Sequence, residues 1–368
     1  MKILIVTMHR GNNYGSALQT YALSEYLCAK LPGSRIDVLD YVPQRVDFVW
    51  NMTVLFHQFV CRRKLRSKYD ALRGMAILCS NKCVYDAFFR KHISLTHAFR
   101  SMNEIRKTLP MDYDVYMTGS DQVWNSTHNR GIDHVFFLDF APKKSRLVAY
   151  AASFGKGELD LIERDETKHL LSAYTAISVR ERSGIDILKS LGLNGEHVLD
   201  PTLLLTKDEW LKRIPHVKDD HYVLIYSVEP NKPELIKIAR RIAERRRLKV
   251  FLVEWGFKKP SGVDKMISGV SPLELMAYFA HADFVVASSF HGTAFSVNFN
   301  KPFVSIVPVR FGDRAKSLLS AVGLEDHFIE TIDFDPDRDL QPIEWALVNE
   351  KLDKERERSL DFLRKALQ

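Results

Sequence analysis

Residues 2–8 form a near-continuous apolar run, 9–13 are polar, and from there Ala17, Leu18, Tyr21, Ala22, Leu23, Tyr26 and Leu27 recur at helical spacing. Strand, loop and helix are therefore predicted in that order. The pattern returns with short apolar runs at 35–42, 115–118, 147–152, 176–179, 222–227, 249–254, 284–287 and 303–307. Helical periodicity lies between them at 159–173, 184–191, 233–247, 272–280 and 314–322. Strands buried on both faces and alternating with helices predict an α/β protein with largely parallel sheets. Ligands of such sheets bind beyond the carboxyl ends of the strands, so the loops after strands are where chemistry is expected.

A length of 368 residues suits two packed units better than one core. The polar segment 206–221, with Pro215 inside it, divides them. An N-terminal domain over 1–210, a C-terminal domain over 211–340 and a last helix over 341–368, packing back on the first domain, are expected. That helix, read over 343–367, is expected to be capped by Asp339 with Pro342 in its first turn. One stretch breaks the rhythm: 44–101 reads as a helical insertion without a clear strand. Between residues 61 and 91 it carries Arg62, Arg63, Lys64, Arg66, Lys68, Arg73, Lys82, Arg90 and Lys91 against only Asp70 and Asp86. Phe48, Trp50, Leu55, Phe56, Phe59, Phe88 and Phe89 lie near it. Such a segment either faces water as a solvated cap on the sheet or rests on an anionic membrane surface.

With 46% apolar and 27% charged residues the composition is that of an ordinary globular chain. No run approaches the roughly 20 apolar residues of a membrane-spanning helix, and the apolar start reaches a polar loop too early for a secretion signal, so a cytoplasmic protein is expected. Cys28, Cys61, Cys79 and Cys83 contain no C-x2-C pair and are expected to be buried reduced thiols. The acidic stretch from Asp333 to Asp339 imitates a calcium loop but has Arg338 where the sharp turn needs Gly. No metal is expected. A net charge of +7 favours phosphorylated metabolites, anionic lipids or nucleic acid without choosing among them.

Four loops after strands carry candidate chemistry. Gly11-Asn12-Asn13-Tyr14-Gly15 opens the first helix, where free N–H groups favour an anion, or it is a tight turn capped by Asn. Gly119-Ser120-Asp121-Gln122-Val123-Trp124-Asn125 offers a carboxylate and an indole for a polar site with a stacking wall, or a helix cap with a buried Trp. Arg180 ends a strand and either grips an anion bidentately or pairs with a carboxylate such as Glu181. Ser288-Ser289-Phe290-His291-Gly292-Thr293 places an imidazole at a strand-to-helix turn, where a bound phosphate would raise its pKa and make it a proton donor. Neither serine sits in a G-x-S-x-G elbow.

In order and number, these segments resemble the polysaccharide pyruvyl transferase family. The resemblance adds Tyr150-Ala151-Ala152-Ser153-Phe154-Gly155, Ser178-Val179-Arg180-Glu181, Val198-Leu199-Asp200-Pro201-Thr202 and Asn300-Lys301-Pro302 and runs to about residue 325. It implies a fold similar to GT-B glycosyltransferases, two Rossmann-like domains facing a central cleft, here with a basic helical insertion in the first. It implies phosphoenolpyruvate as donor substrate, no cofactor, and transfer of its enolpyruvyl group onto two hydroxyls of a sugar, forming a pyruvate ketal and releasing phosphate. His291 is then the general acid, Arg180 holds the donor phosphate or carboxylate, and Asp121 orients or deprotonates the acceptor. Asn13, Tyr14, Ser120, Trp124, Ser289 and Thr293 are expected to bind substrate. Much of the family reads S-R-x-H-G where this chain has Ser289. A hydrogen bond to a charged group is worth roughly 1.5–3 kcal/mol, and Arg310 or Arg314 is expected to supply the missing charge.

The expected acceptor is a saccharide of a surface-polysaccharide precursor, such as a capsule or exopolysaccharide. The basic insertion adds lipid linkage of the acceptor and peripheral contact with the inner face of the membrane. A nucleotide-sugar glycosyltransferase on the same fold is the alternative, although no ribose-binding carboxylate pattern is evident. A non-catalytic binder of anionic polymer predicts strongly salt-dependent binding that is indifferent to His291. No nucleic-acid partner is expected.

Overall fold

The computed structural model describes residues 1–61, 65–219, 221–228, 232–306, 312–330 and 341–368. Two parallel sheets organise the chain. The first contains β1 (Lys2–Val6), β2 (Arg35–Tyr41), β3 (Leu95–Phe99), β4 (Val115–Thr118), β5 (Arg146–Ala152), β6 (Ala176–Val179) and β7 (Glu196–His197), in the spatial order β3-β2-β1-β4-β5-β6-β7. The second contains β8 (Tyr222–Tyr226), β9 (Lys249–Val253), β10 (Lys265–Ile267), β11 (Phe284–Ala287) and β12 (Phe303–Ser305), in the order β10-β9-β8-β11-β12. Every described strand pair is parallel.

In both sheets the order reverses beside the first strand, between β1 and β4 and between β8 and β11. Each such switch point leaves a crevice at the strand carboxyl ends, because the flanking helices depart on opposite faces. The sheets are the two Rossmann-like halves of a GT-B arrangement, and the two crevices meet.

Strand alternation divides the core. Leu4 and Val6 join Tyr116, Ala149 and Ile177 on the outer face of the first sheet. Ile3 and Ile5 face the helix Tyr14–Lys30, whose core continues through Trp210, Phe279 and Phe295 into the second sheet. The final helix, Trp345–Leu367, fastens both halves. Its Ser359 accepts the Leu199 N–H at 2.9 Å, and Arg356 donates to Leu203 O and Asn298 Oδ1, both at 2.8 Å. No described helix is long and apolar enough to cross a membrane.

Several expectations need correction. The stretch 44–101 holds β3 besides the helices Phe48–Cys61 and Leu65–His92. As an edge strand it is only half-buried along most of its length, so it lacks the apolar run that marks the inner strands. Short β7 and β10 escape for the same reason. The dividing segment 206–221 is not purely a linker, since Thr206 and Glu209 form a capping box for the helix Lys207–Leu211 and Trp210 is buried. The last helix starts after Glu344, so Pro342 precedes it. Its expected cap Asp339 and the acidic stretch 333–339 lie outside the described residues. All four cysteines are free and exposed rather than buried, three of them on the two long insertion helices.

Candidate active site

The loops from both switch points line one cleft of about 590 Å³, with Asn13 and Asp121 on the first-domain side and Ser289, His291 and Arg314 on the other. Asn13 caps the helix Tyr14–Lys30, its side chain accepting the Gly15 and Ser16 N–H groups. Ser289 caps the helix Phe290–Asn298 in the same way, accepting the Gly292 N–H at 3.0 Å. Both residues therefore shape the cleft wall by starting helices.

Asp121 follows β4 with φ at 80°, a left-handed conformation that costs a non-glycine residue energy. Its backbone O accepts the Ser153 N–H at 3.0 Å, locking the turn against the chain leaving β5. The carboxylate accepts from Arg180 Nη2 at 3.0 Å, from the Gln122 N–H at 2.9 Å and from Ser16 Oγ. Although burial opposes ionisation, the neighbouring Arg180 guanidinium and the His291 ring hold Asp121 well below the usual carboxylate range. In this state it is ionised and held by three donors on the cleft wall.

Arg180 is not open to the cleft. Its side chain is fully buried, with Nη1 donating to Asp200 Oδ2 at 2.9 Å and Nη2 to Asp121. Nε has no hydrogen-bond partner and stands 3.9 Å from Glu181 Oε2. From the second domain, Phe290 covers the guanidinium at 4.9 Å. Arg180 therefore does what the ion-pairing alternative described, tying carboxylates from the loops after β4 and β7.

Asp200 completes the tie. Oδ1 caps the helix Pro201–Leu204 by accepting from Thr202 N and Oγ1, while Oδ2 accepts from Arg180 and from Ser120 Oγ at 2.8 Å. Glu181 accepts from Ser153 Oγ at 2.9 Å and from the Phe154 and Gly155 N–H groups. Gly155, at φ 63°, leaves no room for a side chain, since a Cβ would stand 2.3 Å from Gln122 Oε1.

His291 projects from the first turn of the helix Phe290–Asn298 toward this cluster. Its Nε2 has no hydrogen-bond partner and lies 3.8 Å from Asp200 Oδ2. Burial pushes the imidazole pKa down to about 4, against the pull of Asp200 and Asp121, so the ring is neutral at neutral pH. Arg314, in the first turn of the helix Asp313–Val322, makes no hydrogen bond or ion pair among the described residues. Burial lowers its pKa to about 10, which leaves it charged. Lys156 also reaches the cleft but is held by Glu163 Oε2 at 2.7 Å and Ser126 Oγ at 2.8 Å.

Of the remaining expected residues, Trp124, Tyr14, Thr293 and Ser120 do not line this cleft. Trp124 is buried among Phe137 and Phe154 and donates Nε1–H to Phe136 O, so it belongs to the first-domain core rather than to a stacking wall. Tyr14 donates to Val270 O at 2.9 Å and stacks on Trp255, joining the domains. Thr293 is fully buried, linking Ser289 O and Ser305 Oγ. Ser120 lies behind Asp200, and Arg310 lies outside the described residues. The pairing of Asp200 with Arg180 is not predicted by the sequence pattern. Asp200-Pro201-Thr202 reads locally as a helix cap, and only the fold brings it to Arg180. No metal-holding group of three or more His, Cys, Asp or Glu side chains occurs among the described residues.

Among solved structures, a UDP-N-acetylglucosamine 2-epimerase aligns with a TM-score of 0.52 and 12% identity over 100% of this chain and 95% of its own. The Neisseria meningitidis UDP-GlcNAc 2-epimerase bound to UDP-GlcNAc aligns at 0.47, with 12% identity over 100% and 94% of the two chains. A spinosyn rhamnosyltransferase aligns at 0.46, with 11% identity over 100% and 99%. At such identities the first likeness concerns the fold alone. No curated protein sequence gives a significant match. Residues 13–308 match the family model described as polysaccharide pyruvyl transferase, a stretch that runs from Asn13 through β12, and the chain belongs to that family.

Proposed function

We propose that the cleft transfers the enolpyruvyl group of phosphoenolpyruvate to two hydroxyls of a saccharide, closing a pyruvate ketal and releasing phosphate. The observation that carries this reading is that one cleft holds a buried imidazole at His291 whose Nε2 has no hydrogen-bond partner and a guanidinium at Arg314 that makes no hydrogen bond or ion pair among the described residues. An anionic donor supplies what both lack. Its negative charge pairs with Arg314 and raises the pKa of His291, which then takes up a proton and gives it to C3 of the enol. C2 gains oxocarbenium character, one acceptor hydroxyl adds, phosphate leaves, and the second hydroxyl closes the ketal. Two protons leave the acceptor in all, one balanced by the proton delivered to C3 and one released with phosphate. Arg314 stands in for the family arginine that this chain replaces with Ser289. Arg180 acts through Asp121 and Asp200 as a positioning residue. The reading keeps a saccharide acceptor of surface-polysaccharide synthesis and catalysis on the cytoplasmic side, where phosphoenolpyruvate is made.

The test incubates the purified protein with phosphoenolpyruvate and a saccharide panel, following phosphate release and acceptor mass together. Phosphate released in step with pyruvylated acceptor, and lost in His291→Gln, is the expected result. Turnover of UDP- or GDP-sugars instead would overturn it.

A further inference from the structure

The helix Phe48–Cys61 has no buried residue and, in FVWNMTVLFHQFVC, no lysine, arginine or acid. Val49, Phe56 and Val60 are 63%, 59% and 57% exposed, and Trp50 is 49% exposed. Positions 49, 53, 56 and 60 fall on one helical stripe, with 50 and 54 beside it. The opposite side leans on the helix Leu65–His92, where the Leu55 methyls come close enough to Gly74 that a Cβ there would meet them at 3.1 Å. A soluble surface rarely leaves such a contiguous apolar face uncovered.

Cations bracket that face. Lys82 Nζ lies 5.5 Å over the Phe48 ring and Lys68 Nζ lies 5.6 Å over Phe59, at the two ends of the helix. Arg66, Arg90 and Lys91 on the neighbouring helix are exposed and make no ion pair among the described residues. Fourteen residues are too few to span a bilayer, yet an uncharged apolar stripe with a Trp and a basic border has the chemistry of a helix lying in the headgroup region.

The insertion also connects with the cleft. Between it and the sheet edge runs a groove of about 310 Å³, with Phe48, Val49 and Leu78 toward the helices and His9 and Arg10 at the inner end. His9 and Arg10 also line a cavity of about 110 Å³, which shares Asn13 and Asp121 with the catalytic cleft.

We propose that the helix Phe48–Cys61 docks on an anionic membrane surface, burying Trp50 and Phe56 among lipid headgroups with the basic border against anionic lipid. Docked this way, the outer end of the groove opens at headgroup level. The inference is independent of the donor chemistry.

The test sediments the full chain with phosphatidylglycerol–phosphatidylcholine vesicles, with phosphatidylcholine vesicles and alone, at low and high salt. Binding to the anionic vesicles is expected, reduced about tenfold or more in Trp50→Ser/Phe56→Ser by the lost apolar burial. The variant should melt with the wild type, because both side chains are exposed. Brominated lipid should quench emission in the wild type and much less in Trp50→Phe. Absence of binding at low salt would overturn the proposal. So would unchanged binding by the double variant, which would mean charge adsorption alone, or a dimer that dissociates in that variant, which would mean that a second copy covers the face.

Discussion

Gly15 of the first domain lies against the imidazole of His291 in the second, so closely that a Cβ on Gly15 would stand 2.0 Å from His291 Nδ1. The missing side chain lets the two halves bring the His291 ring over the carboxylate cluster. Gly15→Ala is compatible with the helix backbone but forces the ring or the domain away. Overpacking of this kind costs about 1–3 kcal/mol. Expected are a large fall in kcat and a modest fall in melting temperature; wild-type turnover in this variant would show that the contact is unimportant.

Removing Arg180 strands two carboxylates. Arg180→Met leaves Asp121 and Asp200 buried without their shared cation, and breaking a buried pair in this way costs about 3–5 kcal/mol. The melting temperature should drop on the order of 10 °C. Had Arg180 served mainly to hold donor, the variant would keep its stability and lose only affinity.

The depressed pKa of His291 sets the pH response. Its value falls from 6.5 to about 4 on folding, so between those limits the unfolded chain holds a proton that the folded chain lacks. Stability therefore falls as pH is lowered from 6.5 toward 4. A second loss follows below pH 3.8, where Asp121 and Asp40, both depressed by their charged neighbours, favour the folded chain only while ionised. Donor binding acts in the opposite sense on His291, raising its pKa. Calorimetry in two buffers of different ionisation heat should record proton uptake with phosphoenolpyruvate near neutral pH, and none in His291→Gln. Equal heats in both buffers would contradict the assignment.

Trp124 gives a contrasting outcome. Trp124→Phe should cost roughly 1–3 kcal/mol through lost core packing and the lost bond to Phe136 O, while leaving the donor KM unchanged. A KM effect without a stability effect would return the indole to the binding site.

The inner strands were legible because strands such as β1 and β11 are buried on both faces and read as apolar runs. The edge strands were not, since Leu95–Phe99 alternates irregularly and is only half-covered. Loops after strands pointed to Asp121, Ser289 and His291, which line the cleft, because parallel topology fixes where ligands can approach. The sequence pattern did not distinguish a residue in the cleft from one just beneath it. Trp124 and Arg180 follow strands as Asp121 does, but their burial depends on Phe137, Asp200 and Phe290, each distant or silent in the local pattern. Exposure of the cysteines was hidden for a related reason, as the helices bearing three of them pack largely on each other.

If the cleft holds phosphoenolpyruvate through Arg314, the ligand stabilises the folded chain only while that guanidinium is present. Thermal unfolding with and without phosphoenolpyruvate, with phosphate and UDP- and GDP-sugars as controls, tests it most directly in the wild type and in Arg314→Met. Ligand at about 100 times its dissociation constant stabilises by roughly 2.7 kcal/mol, a shift of several degrees. That shift is expected for phosphoenolpyruvate in the wild type, with little or none in Arg314→Met. An undiminished shift in the variant, or a shift with nucleotide sugars alone, would contradict it.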